Sequence, residues 1–147
     1  MNKRVSSSRF IEDVIAGEPL PALEMSVDLK VLVMYAAATW DFHRYHYDAA
    51  YVSERGRPAP FMDGQMVGAL LARQLMVWAG PDAFVRRLGY RLRTMVYVGD
   101  HISLSGRVTG TAVESGRSVA VCSLDVIKGD GSVVVQDASA LIELPHR

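Results

Sequence analysis

The sequence has a single cysteine, Cys122, among its 147 residues. One cysteine cannot form an internal disulfide, so the sequence does not indicate a disulfide-stabilised secreted domain. A reducing, cytoplasmic compartment is predicted instead. Cys122 lies in an apolar run, SVAVCSLDVI, which is typical of a small buried strand residue rather than a nucleophile.

The sequence also lacks a surplus of either charge and any long apolar run. The 16 Lys and Arg residues balance 16 Asp and Glu residues, which argues against a nucleic-acid partner. No apolar run reaches the about 20 residues that cross a membrane, so no membrane partner is expected. The basic start, MNKRVSSSRFIEDV, has no apolar segment behind it, and residues 1–9 are expected to form a flexible lead rather than a signal peptide. The length predicts one domain over residues 1–147.

The front half of the chain is predicted to be helical. Asp28 resembles an N-cap, and Leu29 to Ala38 favours a helix. Asp48 to Arg55 indicates a further helical turn or two before Gly56 and Pro58. The strongest signal is GQMVGALLARQLMVWA, from Gly64 to Ala79. This segment is apolar almost all round, which predicts a helix that is buried on most sides.

The back half is predicted to form strands joined by short turns, and therefore an antiparallel sheet. With a short strand over Leu23 to Val27, the fold class predicted is α+β, with about five or six strands wrapped around one long buried helix, the hot-dog arrangement. Turn signals lie at Gly99-Asp100, Ser115-Gly116 and Gly129-Asp130-Gly131. The predicted strands of this half are Arg86 to Val98, His101 to Ala112, Arg117 to Ile127 and Val133 to Leu144.

The segment YAAATWDFHRYHYD, from Tyr35 to Asp48, carries the candidate chemistry. Asp41 and His46 are five residues apart, a spacing that turns two side chains away from each other on a regular helix. If they act together, the segment must be bent. A carboxylate and an imidazole that face one pocket can share a water molecule, one accepting its proton and the other orienting its oxygen. Histidine suits this role because its ordinary pKa of about 6.5 lies near working pH.

This segment resembles the hydratase signature of MaoC-like (R)-specific enoyl-CoA hydratases, whose core reads Asp-x-Asn-Pro-x-His-x-Asp. Asp41 and His46 fall on the catalytic pair of that family, and Asp48 on its trailing acid. PFMDGQMVGALLARQL resembles the start of the central helix, usually His-Gly-Met, and RLGYRLRTMVYVGDHISLSGRV resembles the strand-turn-strand that follows. The resemblance covers roughly residues 33–108. It implies syn addition of water to an enoyl-CoA thioester, with no cofactor beyond the CoA carried by the substrate.

The resemblance also implies that a backbone N–H at the start of the central helix, here that of Gly64, binds the thioester oxygen. Helix N-termini favour negative charge, and a glycine would let the thioester approach the backbone closely. Asp63 and Gly64 also fit an ordinary helix cap, and we expect both roles in one place. Asp63 stands where the family has His, which puts a negative charge near the thioester.

The sequence departs from the family at three more positions, which lie between Asp41 and His46. The Asn, Pro and aliphatic residue of the family are replaced here by His43, Arg44 and Tyr45. His43 and Tyr45 are therefore predicted to contact the substrate. Some family members with an altered Asn-Pro core act on steroid or other bulky acyl-CoA substrates, often as half of a heteromer. The WAGP sequence that ends the long helix resembles that branch.

Arg91 and Arg93 alternate with Leu92 on the predicted strand, where they could meet CoA phosphates, although a solvated or ion-paired strand face is the commoner explanation for such arginines. His43 and His46, with Asp41 and Asp48, lack a further His or Cys ligand, so no metal is expected.

Three functions remain open at this point. The first is an enoyl-CoA hydratase or, in reverse, a 3-hydroxyacyl-CoA dehydratase that acts as a homodimer or as a heterodimer with another hot-dog subunit. The second is a hot-dog acyl-CoA thioesterase, although that chemistry usually rests on a carboxylate without this Asp-to-His spacing. The third is a non-catalytic or half-site subunit that completes the acyl tunnel of a partner.

Overall fold

A computed structural model describes residues 8–147. Three helices precede most of the sheet: α1 (Leu29–Thr39), α2 (Ala49–Ser53) and α3 (Gly64–Ala79). The strands are β1 (Leu23–Ser26), β2 (Phe84–Gly89), β3 (His101–Glu114), β4 (Arg117–Lys128) and β5 (Val133–Glu143). Short 3-10 helices span Ile11–Asp13 and Arg44–His46. Of the flexible lead expected over residues 1–9, residues 1–7 lie outside the described residues, and the backbone N–H of Arg9 donates to the carbonyl of Ala79 at 2.9 Å.

The five described strands form one antiparallel sheet in the order β1-β3-β4-β5-β2. Strands β3, β4 and β5 follow one another as a meander because tight turns join them. Ser115 and Gly116, both with positive φ, form the first turn, and this geometry suits the twist of a two-residue hairpin. The predicted α+β class and hot-dog arrangement are confirmed, since the inner face of this sheet and α3 share one core.

Helix α3 occupies the centre of the fold. The side chain of Asp63 accepts a hydrogen bond from the N–H of Gln65 and caps the helix, and Asp28 caps α1 in the same way. Half of the α3 residues are buried, with Leu71 and Leu75 fully enclosed. One stripe of the helix, at four-residue spacing, remains exposed: Gln65, Ala69, Arg73 and Val77. The helix is therefore buried on most sides, as predicted.

The long strand predicted over Arg86 to Val98 is wrong. Strand β2 ends at Gly89, residues 90–96 have no regular structure, and Tyr97 makes an isolated bridge to Phe61. The reason is a change of partner. Residues 84–89 pair with β5, whereas the carbonyl of Val96 accepts from the N–H of Met62 at 2.8 Å. The alternating pattern cannot show that the chain leaves one edge of the sheet to cover the start of α3.

No helix among the described residues is long and apolar enough to cross a membrane.

Cys122 lies on β4 with 2% of its surface exposed, as the apolar run indicated. Burial raises the pKa of its thiol to about 12, because the thiolate would lose its hydration. At neutral pH this cysteine therefore stays protonated and inaccessible.

We expect Cys122 to resist a thiol reagent such as 5,5′-dithiobis(2-nitrobenzoate) in the folded protein at pH 8, and to react fully once guanidinium unfolds the chain. Release of thionitrobenzoate measures the reaction. Stoichiometric modification of the folded protein within minutes would show that β4 opens readily and that the thiol is not held in the core.

Candidate functional site

The chain reverses direction immediately after α1. Trp40 adopts a left-handed conformation with φ 60° and ψ 23°, which costs an L-residue about 1–2 kcal/mol. The N–H groups of Trp40 and Asp41 both donate to the carbonyl of Ala36. A 3-10 helix, Arg44–His46, follows within a few residues. The bend that the five-residue spacing of Asp41 and His46 required is therefore present.

The bend brings Asp41 and His46 together and places them beside Asp63 at the start of α3. One side-chain donor or acceptor atom from each of these three residues lies within 4.8 Å of the others, and all three side chains are half-buried. A water molecule between them would contact both carboxylates and the imidazole. The sequence predicted the pair, and the structure adds Asp63 as its third member.

The ring of His46 is oriented by a hydrogen bond from Nδ1 to the carbonyl oxygen of Phe61, at 2.8 Å. A carbonyl can only accept, so Nδ1 carries the proton and Nε2 is the free basic nitrogen. The backbone of Phe61 is itself fixed, because its N–H donates to the carbonyl of Tyr45 at 3.2 Å. The segment that leads into α3 thus sets the tautomer of the imidazole.

His43 and Tyr45, both predicted to contact substrate, form an aromatic stack beside the pair. Their rings lie 4.7 Å apart and 16° from parallel, and Tyr45 also packs against Tyr51 and Phe61 at 5.3 Å. The N–H of Tyr45 donates to Nδ1 of His43 at 3.3 Å. The structure does not bring His43 into the three-residue cluster, since its ring centroid is 6.2 Å from that of His46.

Asp48, on the trailing acid of the signature, holds the local backbone. Its Oδ1 accepts from the N–H of Tyr51 and caps α2, while Oδ2 accepts from the guanidinium of Arg44 at 2.7 Å. The Tyr51 N–H first and the Arg44 side chain second hold the pKa of the Asp48 carboxyl below its usual value of 3.8. Asp48 therefore stabilises the segment that carries His46.

Gly64 is the first residue of α3, and its N–H meets no acceptor among residues 8–147. A free N–H at the positive end of a helix is a good donor to a developing oxyanion. The side of Gly64 is closed, however, because an added Cβ would lie 2.8 Å from Cδ1 of Leu92. Leu92 therefore occupies the space on that side of the glycine, and the close approach of a thioester to the Gly64 backbone stays a prediction.

A cavity of about 250 Å³ opens beside Gly64. Its lining is mainly apolar and consists of four residues from the start of α3 and the segment before it, five from the irregular segment after β2 and one from β5. The lining residues are Phe61, Met62, Gly64, Val67, Leu92, Arg93, Thr94, Met95, Val96 and Val134. An apolar cavity next to convergent polar groups is the usual form of a small-molecule site.

Arg91 and Arg93 do not lie on a strand as the sequence predicted, because the strand ends before them. Arg93 lies at the cavity wall, where its backbone N–H donates to the carbonyl of Val134 at 2.9 Å. Arg91 is exposed and does not line the cavity. A contact of either guanidinium with CoA phosphates stays a prediction.

The sequence reasoning missed three residues near the site, namely Tyr35, Tyr90 and Leu92. The hydroxyl of Tyr90 donates to the carbonyl of Gly64 at 2.9 Å, and its ring lies where a Cβ on Gly68 would stand. Burial, and then the negative charge of Asp63 with smaller effects of Tyr90 and Asp41, raises the pKa of Tyr35. The available signal was the pair of glycines four residues apart on α3, which indicates a close approach from outside the helix.

The cluster of Asp41, His46 and Asp63 also offers three ligand atoms of the types that bind divalent metals. His43 and Asp48, which the sequence grouped with them, lie outside this set. The expectation of no metal stays a prediction, and the chemistry derived below uses none.

Residues 9–128 match the family model described as "MaoC like domain". The chain therefore belongs to the MaoC-like domain family, as the resemblance at Asp41 to Asp48 indicated.

Among individual proteins, the chain is 33% identical over 95 residues to the 3-oxo-4,17-pregnadiene-20-carboxyl-CoA hydratase beta subunit of Mycobacterium tuberculosis, a match that covers 65% of this chain and 74% of that protein. It is similar to a chain of the ChsH1-ChsH2 complex from the same organism, with a TM-score of 0.78 and 28% identity over 89% of this chain and 98% of that one. The (R)-hydratase of A. caviae involved in PHA biosynthesis shares the fold, with a TM-score of 0.80 and 20% identity over 91% of this chain and 99% of that one.

The role of Asp48 predicts a stability that depends on pH. A carboxyl with a depressed folded-state pKa contributes stability above its unfolded pKa, and this contribution is lost as the pH falls through the folded value. Asp48→Asn keeps a capping side chain but no charge, so we expect its melting temperature to lie below wild type at pH 7 and the difference to shrink below about pH 4.

Asp48→Ala is the matched variant, because it removes the cap as well as the charge. The melting temperature of Asp48→Ala should stay below that of the wild type at low pH, where the difference between Asp48→Asn and the wild type has shrunk. Thermal melts by circular dichroism between pH 3 and pH 7 measure both variants. A deficit of Asp48→Asn that is constant across this range would contradict a charge-based role.

Proposed function

We propose that the protein hydrates a 2-enoyl-CoA thioester to a 3-hydroxyacyl-CoA, or catalyses the reverse dehydration. The observation that carries this proposal is the convergence of Asp41 and His46 beside the free N–H of Gly64. Membership of the MaoC-like family and the hydratase names of its relatives support it.

The reaction follows from the positions of these groups. Nε2 of His46 accepts a proton from a water molecule that Asp41 orients, and the water oxygen bonds to C3 of the enoyl group. The electron pair of the C2–C3 double bond moves toward the thioester, whose oxygen becomes an enolate held by the N–H of Gly64. Return of the proton to C2 completes the addition of one water, and the same steps in reverse remove it.

Asp63 is part of the proposed substrate-binding site. One of its oxygens accepts from the N–H of Gln65 at 2.9 Å and is thereby held against the helix. The carboxylate still adds negative charge next to the position of the enolate, which opposes its formation. The same charge favours the imidazolium that His46 becomes after it takes the proton from water, so the two effects act in opposite directions within one step.

The proposal includes no cofactor other than the CoA of the substrate, because proton transfer and oxyanion binding are supplied by side chains and backbone. The proposal also includes contacts of Arg91 and Arg93 with CoA, and these contacts have the least support. It also includes a reducing, cytoplasmic setting, which the single buried cysteine supports. The relative named for a pregnadiene-carboxyl substrate favours a bulky acyl group.

We expect Asp41→Asn and His46→Gln each to lower kcat/KM for crotonyl-CoA by about 10²–10⁴-fold, since each removes a group that moves or orients the proton. Loss of the enoyl-thioester absorbance measures the rate. Asp82→Asn and His101→Gln are the matched controls, because they change the same residue types at exposed positions outside the site. Full activity of either site variant, or no hydration by the folded wild type alone and with its partner, would overturn the proposal.

The same assay separates hydration from thioester hydrolysis. A thioesterase would release free CoA, which a thiol reagent detects, whereas a hydratase leaves the thioester intact. The buried Cys122 thiol should add no background to this test.

A second candidate is a subunit whose activity requires another hot-dog chain. The 28% identical chain comes from a complex of two different proteins, and apolar side chains on and after α1 are exposed. These residues, named here the α1 face, are Leu29, Val33, Met34, Trp40 and Phe42. Trp40 is 83% exposed and its ring packs against that of Phe42 at 5.3 Å, and burial of such a pair favours association.

We expect the purified chain to form a dimer, with itself or with a co-expressed hot-dog partner, and Trp40→Glu to weaken it because a charge would be buried at the interface. Light scattering after size exclusion gives the mass. Val113→Glu is the control, since Val113 is also highly exposed but lies at the C-terminal end of β3 and outside the α1 face. A dimer that tolerates Trp40→Glu as well as the control would place the interface elsewhere.

A further inference from the structure

The segment after β2 presses two side chains onto the first turns of α3. Leu92 lies against Gly64 and Tyr90 against Gly68, so closely that a methyl group on either glycine would collide with them. The hydroxyl of Tyr90 adds a hydrogen bond to the carbonyl of Gly64. Residues 90–92 are thus docked at the N–H that the proposed function assigns to the thioester oxygen.

Leu92 also belongs to the cavity. It lines the wall next to Gly64, while 44% of its surface remains exposed. A thioester oxygen that accepts from the N–H of Gly64 lies about 2.9 Å from that nitrogen, and C2 of the acyl group is only two bonds further away. Substituents on C2 that point into the cavity must therefore meet the methyl groups of Leu92.

We propose that Leu92 determines specificity by limiting the bulk that an acyl group can carry at C2. This proposal rests on the proposed function, because it takes the Gly64 N–H as the thioester site. The cavity of about 250 Å³ lies below the roughly 300–1,000 Å³ of pockets that enclose drug-sized ligands. Among the described residues, and apart from the two chain neighbours of Gly64, Leu92 is the one whose side chain comes within 4 Å of where a Cβ on Gly64 would stand, so its size limits the space beside the backbone that binds the thioester.

The test compares crotonyl-CoA with 2-methylcrotonyl-CoA, which differ by one methyl group at C2. We expect the wild type to prefer crotonyl-CoA, and Leu92→Ala to raise the ratio of kcat/KM for the branched to the unbranched substrate by about tenfold or more. One methyl group in an apolar pocket is commonly discriminated by this amount. Ile127→Ala is the matched control, because Ile127 is 42% exposed and lies on β4 away from the cavity.

A binding measurement keeps the test independent of catalysis. The saturated thioesters butyryl-CoA and 2-methylbutyryl-CoA cannot be hydrated, and calorimetry gives their affinities for the wild type and for Leu92→Ala. Loss of discrimination in the variant supports the role of Leu92 even if the protein hydrates neither enoyl-CoA. An unchanged ratio in both assays, an equal preference already in the wild type, or the same gain in Ile127→Ala would overturn it.

A stability measurement checks the contact on which the proposal depends. Because its methyl group must displace Cδ1 of Leu92, Gly64→Ala should change the melting temperature less favourably in the wild type than in the Leu92→Ala background. An equal change in the two backgrounds would show that Leu92 does not lie on Gly64 in solution, and the proposal would then fail.

Discussion

The hydrogen bond from Nδ1 of His46 to the carbonyl of Phe61 connects the two halves of the site. It fixes the imidazole to the three residues that precede α3. Those residues are fixed in turn because the N–H of Met62 donates to the carbonyl of Val96 and the N–H of Val98 donates to the carbonyl of Pro60. A shift of this short segment would move His46, Asp63 and the N–H of Gly64 together. The relative positions of base, carboxylate and oxyanion donor therefore depend on the backbone rather than on flexible side chains, which is the condition for preorganised electrostatics.

The glycines of α3 show how packing and chemistry compete for one surface. Gly64 and Gly68 lower the helix propensity of their positions, yet they admit Leu92 and Tyr90 to van der Waals contact with the helix. The same close approach that completes the wall of the cavity also narrows the access to the helix N-terminus. A change in acyl specificity within this fold can thus arise from the irregular segment after β2 while the catalytic pair stays unchanged.

Much of the fold was predictable because it depends on local patterns. Apolar composition and an N-cap identified α3, and turn residues between alternating strands identified the β3–β5 meander. The bend at Asp41 to His46 followed from their spacing together with their expected partnership. The path of residues 90–96 was not predictable, because it depends on which distant segment lies opposite, and only the family resemblance placed Asp63 near the catalytic pair. The sequence shows neither the Val96–Met62 pairing nor the contact of Leu92 with Gly64.

The order of strands in the sheet has a consequence for biosynthesis. Asp41, His46, Asp63, Gly64 and Leu92 all precede β3 in the chain, whereas the central strands of the sheet, β3, β4 and β5, come after them. As the chain emerges from the ribosome, α3 has no sheet to cover its apolar face, and β2 has no partner until β5 is made. The pairing of β2 with β5 must close a long loop of chain, so it is expected to form more slowly than the local pairings within the β3–β5 meander. The polar groups of the site are thus translated before the central strands against which α3 packs, and the site can be assembled only after β5 has been synthesised.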